Sequence, residues 1–422
     1  MTENARNVWA PALVALAVTA LAIPAAATSD DCLLAEGCYD EGMCSMTPDG
    51  CVMMSEGDCL TSDACQREGR CSYDGDVCVV GKAGCAKSPA CTAYGLCAAG
   101  AERCEPTASG CKKSFACKAL GECRLTKVGP KTNNILQADA CRSNGDTDCA
   151  KSAACKHLGR CVMTQHAPMD MACVARGKSC ERSTLCALDG QCTANDEEEC
   201  VATDASCARS AACKELGMCA AEGEPRCLAY DEAACKASTA CKEDGACVLD
   251  KDKKVCVVTL PTNERGGYCP KFATSTRVSK VVTSSTHPTW KEYAFGGEQL
   301  IDGFIETSWQ PRTKKGGGVG ESVTLILPKA APITGLRVAN GFLRRDRLGD
   351  LFLWNNRLRH VVVEAGDSKQ VAYFYPDHRG YVDIRFPPAT TDRVKLTVRS
   401  IYPGLLWNDL AISEIEVLTC VD

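Results

Sequence analysis

Large apolar side chains are scarce in this sequence. Aromatic residues make up 5% of 422 residues, so much of the chain cannot rest on a conventional hydrophobic core. Histidine is scarcer still. His157, His166, His287, His360 and His378 are the whole set. No two stand four apart, which excludes an HExxH-type metalloprotease. An excess of positive charge is also missing. The formal net charge of −5 argues against a dedicated nucleic-acid binder. Beyond residue 23 no apolar run reaches membrane-spanning length. Catalytic patterns are absent too. No Ser-His-Asp or paired-carboxylate motif is legible, and the Gly-rich GGGVG at 316–320 lacks the Lys-Ser/Thr of a phosphate loop and precedes a strand. The chain therefore reads as non-enzymatic, with a hydrolase of unrecognised site as the alternative.

What is abundant is cysteine, 34 residues. The compartment that permits this is set near the start. Residues 8–23 read VWAPALVALAVTALAI, followed by Pro24 and Ala25-Ala26-Ala27. This predicts a signal peptide over 1–27. A retained membrane anchor is the alternative, although the run is short and Pro11 interrupts it. Ser29-Asp30-Asp31 ahead of Cys32 does not resemble a lipoprotein box. The expected location is secreted or in the cell envelope, where thiols oxidise.

Composition divides the chain. Thirty-two cysteines lie between Cys32 and Cys256, and only Cys269 and Cys420 lie beyond. Of 23 aromatic residues, 17 follow residue 260. Residues 261–422 hold 21 Lys+Arg against 17 Asp+Glu, a net of +4; the rest holds 27 against 36, a net of −9. The shifts meet at LPTNERGG, which predicts a linker at 260–267 between a cysteine region (28–259) and a C-terminal domain (268–422).

The cysteine region obeys one rule eight times. Three cysteines stand six apart, as in Cys32-Cys38-Cys44 and Cys235-Cys241-Cys247, and a fourth follows at a looser distance, as at Cys51 and Cys256. Such periodicity marks a repeat array. A glycine precedes every third cysteine by two: Gly42, Gly69, Gly95, Gly121, Gly159, Gly190, Gly217 and Gly245. A serine follows the first cysteine by three in seven units, from Ser62 to Ser238. The serine predicts a helix N-cap and the glycine a helix end, with good helix formers such as AACKEL (211–216) between. Each unit should be a short helix and turn followed by a looser extended segment. So short a helix needs cross-links. Zinc is the competing use of the thiols, but the CxxC and CxC pairs favoured by metal and thiolate clusters do not occur. Four cysteines allow three pairings. The expected one joins first to third and second to fourth. With so few aromatic anchors, the array reads as a spacer rather than a binding surface.

In the C-terminal domain apolar and polar residues alternate in SVTLIL (322–327), YVDIRF (381–386), RVKLTVRSI (393–401) and SEIEVL (413–418). Turns such as AGDS (365–368) separate them, which predicts an all-β sandwich. Cys269 and Cys420 bracket it, and pairing them would close about 150 residues and contribute on the order of 5 kcal/mol.

LIDGFIETSW (300–309) resembles the DG-x-x-x-T-x-W signature of discoidin-like, coagulation-factor type C domains with a galactose-binding-like jelly roll. With SST (284–286), GVGES (318–322), ANGF (339–342), WNNRLR (354–359), IYPG (401–404) and NDLAISEIEV (408–417), the domain is similar to the glycan-binding, translocation branch found beside bacterial NAD glycohydrolases. The resemblance implies binding, not NAD cleavage. It also implies a structural Ca²⁺ held by Asp302, Glu414 and Thr307 with carbonyls of Gln299, Phe304 and Ser413, although Phe304 replaces the usual acid or amide. A plain turn closed by Asp302 is the other reading of this loop.

Glycan recognition calls for an exposed aromatic with planar hydrogen-bonding groups beside it. The candidates are Trp354-Asn355-Asn356-Arg357, preceded by Arg344 and Arg345, and Tyr402 with Trp407-Asn408-Asp409. Trp290 and Tyr293 lie in an early loop, whereas Trp309 reads as core. The same Asn and Asp residues have a second reading, as pins for loops. The expected partner is a cell-surface glycan, with an envelope protein as the alternative.

Overall fold

The computed structural model describes residues 32, 36–258 and 271–421, apart from short gaps at 66–68, 102, 128–138, 168–169, 274–276, 291–292, 313–316 and 347. The expected signal peptide, the linker and Cys269 lie outside the described residues. The Cys269–Cys420 pairing therefore has no structural account.

Each unit of the array carries two disulfides, but their pairing corrects the expected one. The first cysteine joins the fourth and the second joins the third, as in Cys235–Cys256 and Cys241–Cys247. The same pattern runs from Cys32–Cys51 and Cys38–Cys44 onward, and no described cysteine is free. Local geometry gives the reason. One helix turn and a reversal bring the second and third Cα atoms to 4.6 Å in the last unit, within bridging range.

The units are also more regular than expected. In the eighth, two short helices, Glu232–Ala237 and Thr239–Asp244, precede a hairpin of Val248–Asp250 and Val255–Val257. Ser238 sits at the joint. Its Oγ accepts from Cys241 N at 3.0 Å, capping the second helix, and donates to Cys235 O at 2.7 Å, closing the first. The looser segment is this hairpin, whose second strand carries the fourth cysteine.

The glycine ends the second helix in the left-handed region, with φ of +72° at Gly217. It has a further role that spacing did not reveal. A Cβ on Gly217 would lie 2.7 Å from Cys256 Sγ and 2.9 Å from Cys235 Cα, in the disulfide of the next unit. Gly42, Gly69, Gly95, Gly121, Gly159 and Gly190 meet the following unit's disulfide in the same way. At Gly245, with no unit to follow, the nearest atom is 3.8 Å away. The units thus stack through a glycine-on-disulfide contact, as a solenoid.

Residues 271–421 form a β-sandwich: β1 Lys271–Ala273, β2 Lys280–Thr283, β3 Ser322–Asn340, β4 Arg357–Ala365, β5 Ser368–Tyr373, β6 Tyr381–Tyr402 and β7 Ile412–Val421. Register breaks in β3 between Ile326 and Ala331 and between Ile333 and Gly335 let its two halves serve two layers. Its first half pairs with β2 and the end of β6, its second with β7 and the start of β6. All these pairings are antiparallel. Leu325, Leu336, Val361, Val363, Ile415 and Trp309 fill the core between the layers.

The array does not stand away from this sandwich. Its third to fifth units pack Ala93, Ala119, Ala154 and Phe115 against Trp354, Leu351 and Leu405 at the loop end. Its last units pack Leu216, Met218 and Cys256 against Val362 and Val371 on β4 and β5. The spacer expectation is therefore corrected. This contact explains why β4 escaped the alternation signal: RLRHVVVEA is covered on both faces, by the core and by the array, so all of it but Glu364 is buried, Arg357, Arg359 and His360 included.

Candidate ligand cleft beside the array

Two polar clusters, each built on a buried carboxylate of the array, fasten it to the sandwich. Arg359 on β4, fully buried, donates to Asp189 Oδ1 at 2.9 Å, Glu215 Oε2 at 2.7 Å and the Leu188 carbonyl at 3.1 Å. The Tyr402 hydroxyl donates to Asp189 Oδ2 at 2.6 Å and lies 2.7 Å from that of Tyr373. Burial and the adjacent carboxylate raise both phenols well above their ordinary pKa. The second cluster pairs Asp244 with Lys369 at 3.1 Å and Arg399 at 2.5 Å. Beside it His360 is buried with Nε2 unpaired. Desolvation holds its pKa down, at about 4, with Arg359 and Arg399 adding to the effect and Asp244 opposing it.

Several residues expected on an exposed platform belong to this internal framework instead. Trp354 is 3% exposed and packs edge-on to Phe115 and Trp407, at 5.7 and 5.6 Å. Tyr402 is buried. Arg357 donates to the carbonyls of Phe352 and Asn355, which the short helix Leu351–Trp354 leaves open, and burial lowers its pKa to about 10. Asn356 donates to Gly317 O and Asn408 Oδ1 and accepts from Gly404 N at 2.7 Å, fixing the 403–409 loop. Arg344 and Arg345 pair with Asp346 and Asp350. For these residues the loop-pinning reading describes what the structure shows. Trp354 and Tyr402 were misread because aromatic residues serve cores and platforms alike, and the sequence does not show that Phe115 and Asp189 of the array cover them.

Asn355, Trp407 and Asp409 do reach a cleft, of about 280 Å³, formed where His287, Trp290, Tyr293 and Phe295, the 403–409 loop and Phe115 of the array meet. Its most exposed ring is Trp290, 42% accessible and stacked on Tyr293 at 5.7 Å with planes 15° apart. Tyr293 is held from behind: its hydroxyl donates to Asp346 at 2.5 Å and Arg344 lies 5.0 Å from its ring centroid. Phe295 and Phe342 complete the apolar wall, and His287, Gln310, Asn355 and Asp409 place polar groups along it. Sequence reading missed His287, Phe295, Gln310 and Phe342. Its usable signals were the Trp290 and Tyr293 pair and the rarity of Phe115 in an aromatic-poor array.

The expected calcium loop is closed on itself. Asp302 Oδ1 accepts from Phe304 N at 2.9 Å and from Thr307 Oγ1 at 3.0 Å, while the Phe304 carbonyl accepts from Thr307. Glu414 accepts from Gly303 N at 3.3 Å. Its buried carboxyl is raised to about 8, first by burial and then by the Asp302 charge. Ser413 Oγ is bonded to Gly341 O and Leu343 N, and Gln299 Oε1 is buried without a partner. Among the described residues no group of three or more His, Cys, Asp or Glu is gathered for a metal. Nor is any helix there long and apolar enough to cross a membrane.

Residues 271–418 match the family model of the NAD glycohydrolase translocation F5/8 type C domain. No curated protein matches the chain. Among solved structures, a truncated AlyQ with CBM32 and alginate lyase domains is 13% identical over 36% of this chain, with a TM-score of 0.26; the match spans 34% of that protein, about a third of its length. The family 32 module of Clostridium perfringens NanJ, solved with galactose, is 16% identical over 33% of this chain and 92% of its own (TM-score 0.23). An F5/8 type C domain from Bacteroides fragilis is 16% identical over 35% and 96% (TM-score 0.27). From the family match and the sandwich just described, residues 271–418 are a discoidin-like F5/8 type C domain, and an array of eight four-cysteine, two-disulfide units precedes it.

Proposed function

We propose that this is an exported, non-enzymatic binding protein whose sandwich and array together form a glycan site. The observation that carries this is the cleft at Trp290. An exposed indole, stacked on a tyrosine that is itself braced, offers a flat apolar surface without loss of side-chain freedom on binding. His287, Gln310 and Asp409 supply the donors and acceptors that a sugar's hydroxyl edge requires. The family match to a translocation-type binding domain agrees with this reading. Thirty-two paired cysteines belong to an oxidising compartment outside the cytosol. Secretion or residence in the cell envelope, directed by the 1–27 segment, is part of the proposal.

A Ca²⁺ at the 302–307 loop is proposed with it. The close Asp302 and Glu414 carboxylates and the unpartnered Gln299 Oε1 are what a hard cation would relieve. Thr307 and the carbonyls of Gln299, Phe304 and Ser413 would complete the shell. The ion's part would be to hold the loop, not to do chemistry.

The test is a glycan array on the full chain, beside Trp290→Ala and Asp409→Asn. Wild-type binding that is lost in folded variants supports the cleft. Absence of any bound glycan, with a protein partner recovered instead, replaces the reading with an envelope protein-interaction module.

A further inference from the structure

A second depression, a groove of about 620 Å³, lies on the other side of the 403–409 loop. Trp407 lines both it and the aromatic cleft. Its far wall is built by two successive units of the array. Lys118 comes from the helix Phe115–Leu120, Lys151 from the joint ahead of the helix Ala153–Leu158, and Lys156 from that helix. All three are exposed. Among the described residues none is in an ion pair, and no Asp or Glu lines the groove. This stands out in a chain whose first 260 residues carry a net charge of −9. His157 at the groove adds no charge near neutrality, because burial and the neighbouring cations Lys156 and Arg357 hold its pKa at about 4.

We infer that this groove is an anion subsite, and that the ligand spanning it and the aromatic cleft is an acidic polysaccharide bearing carboxylate or sulfate groups. The inference rests on the glycan reading of the cleft and deepens it. An acidic sugar has two unlike features, an apolar ring face and a charged substituent on its edge. A chain crossing Trp407 lays the first on the rings of the cleft and brings the second to the lysines. Ammonium groups suit this task. They act as mobile point charges that follow a flexible polymer without demanding one geometry. Exposed charges of this kind act through a screened field, so their contribution should fade as salt rises. The array then supplies the charge preference and the sandwich supplies the stacking surface, which gives the contact between them a functional purpose.

The test uses the full chain and two matched probe pairs: polygalacturonate with its methyl ester, and dextran sulfate with dextran. Duplex DNA serves as a charge-only control. The wild type should bind an anionic member about tenfold tighter than its neutral partner at low salt, and the gap should shrink at high salt. The triple variant Lys118→Gln/Lys151→Gln/Lys156→Gln should lose that preference, keep its thermal stability and keep its affinity for the neutral probe. Trp290→Ala should weaken both members. Equal binding of charged and neutral probes by the wild type overturns the anion subsite alone, as does a preference that survives the triple substitution. DNA bound as tightly as dextran sulfate, and insensitive to Trp290→Ala, makes the groove a nucleic-acid surface and overturns the proposal. If the wild type binds neither probe pair and no sugar on the array, the glycan reading itself falls.

Discussion

Trp290 and Trp354 have the same side chain and opposite circumstances. Trp354 is packed edge-on against both Phe115 and Trp407, so Trp354→Ala should cost about 3–5 kcal/mol of stability. Trp290 exposes one face, and Trp290→Ala should leave the melting temperature within a degree or two while weakening glycan binding about tenfold or more. Measuring both quantities on both variants separates a folding residue from a binding one. A loss of stability at Trp290 equal to that at Trp354 would contradict the site. His360 gives a test in pH. Its folded pKa of about 4 lies below the ordinary value of 6.5, so the folded chain takes up the proton less readily than the unfolded one. The stability it permits is complete above pH 6.5 and is lost as pH falls from 6.5 towards 4, on the order of 3 kcal/mol. Denaturation followed across that window should show the decline, and His360→Leu should flatten it.

At the level of the repeated element, the glycine series separates backbone conformation from packing. Gly217 and Gly245 have similar positive φ, +72° and +82°. Only Gly217 faces the disulfide of a following unit. Gly245→Ala should cost about 1 kcal/mol, for conformation alone. Gly217→Ala should cost roughly 2–4 kcal/mol, because backbone and sulfur atoms of the next unit must shift as well. Equal losses in chemical denaturation would show that the stacking contact carries no energy. Disulfide mapping on proteolytic peptides should recover the nested pattern, first with fourth and second with third, in every unit. The serine, the glycine and the eightfold period were legible because each acts on its own neighbours in sequence. The cysteine pairing was not, because spacing limits the choices to three and only the hairpin that returns the fourth cysteine selects among them.

Over the whole molecule, array and sandwich share buried polar contacts as well as apolar ones. Arg359 is the most buried of these links, with Asp189 and Glu215 from the array around it. Arg359→Met strips two carboxylates of their cationic partner and leaves Asp189, 3% exposed, with the neutral Tyr402 hydroxyl. It should destabilise the protein by about 3–5 kcal/mol. It should also turn one cooperative unfolding transition into two, read by calorimetry under oxidising conditions. A wild type that already unfolds in two separate steps would show that the interface does not couple the two parts. The sequence by itself determined the count and internal grammar of the units, the alternating strands of the sandwich and its family signature. Each of these is written in local spacing or in the alternation of a strand with one wet face. Only the tertiary structure decided that the array lies against the sandwich, that Trp354, Arg357 and Tyr402 are interior, and that Trp290, Trp407 and three array lysines share one surface. Those outcomes depend on contacts between residues far apart in the chain, such as Asp189 with Tyr402, and no spacing along the sequence encodes which surface will be covered.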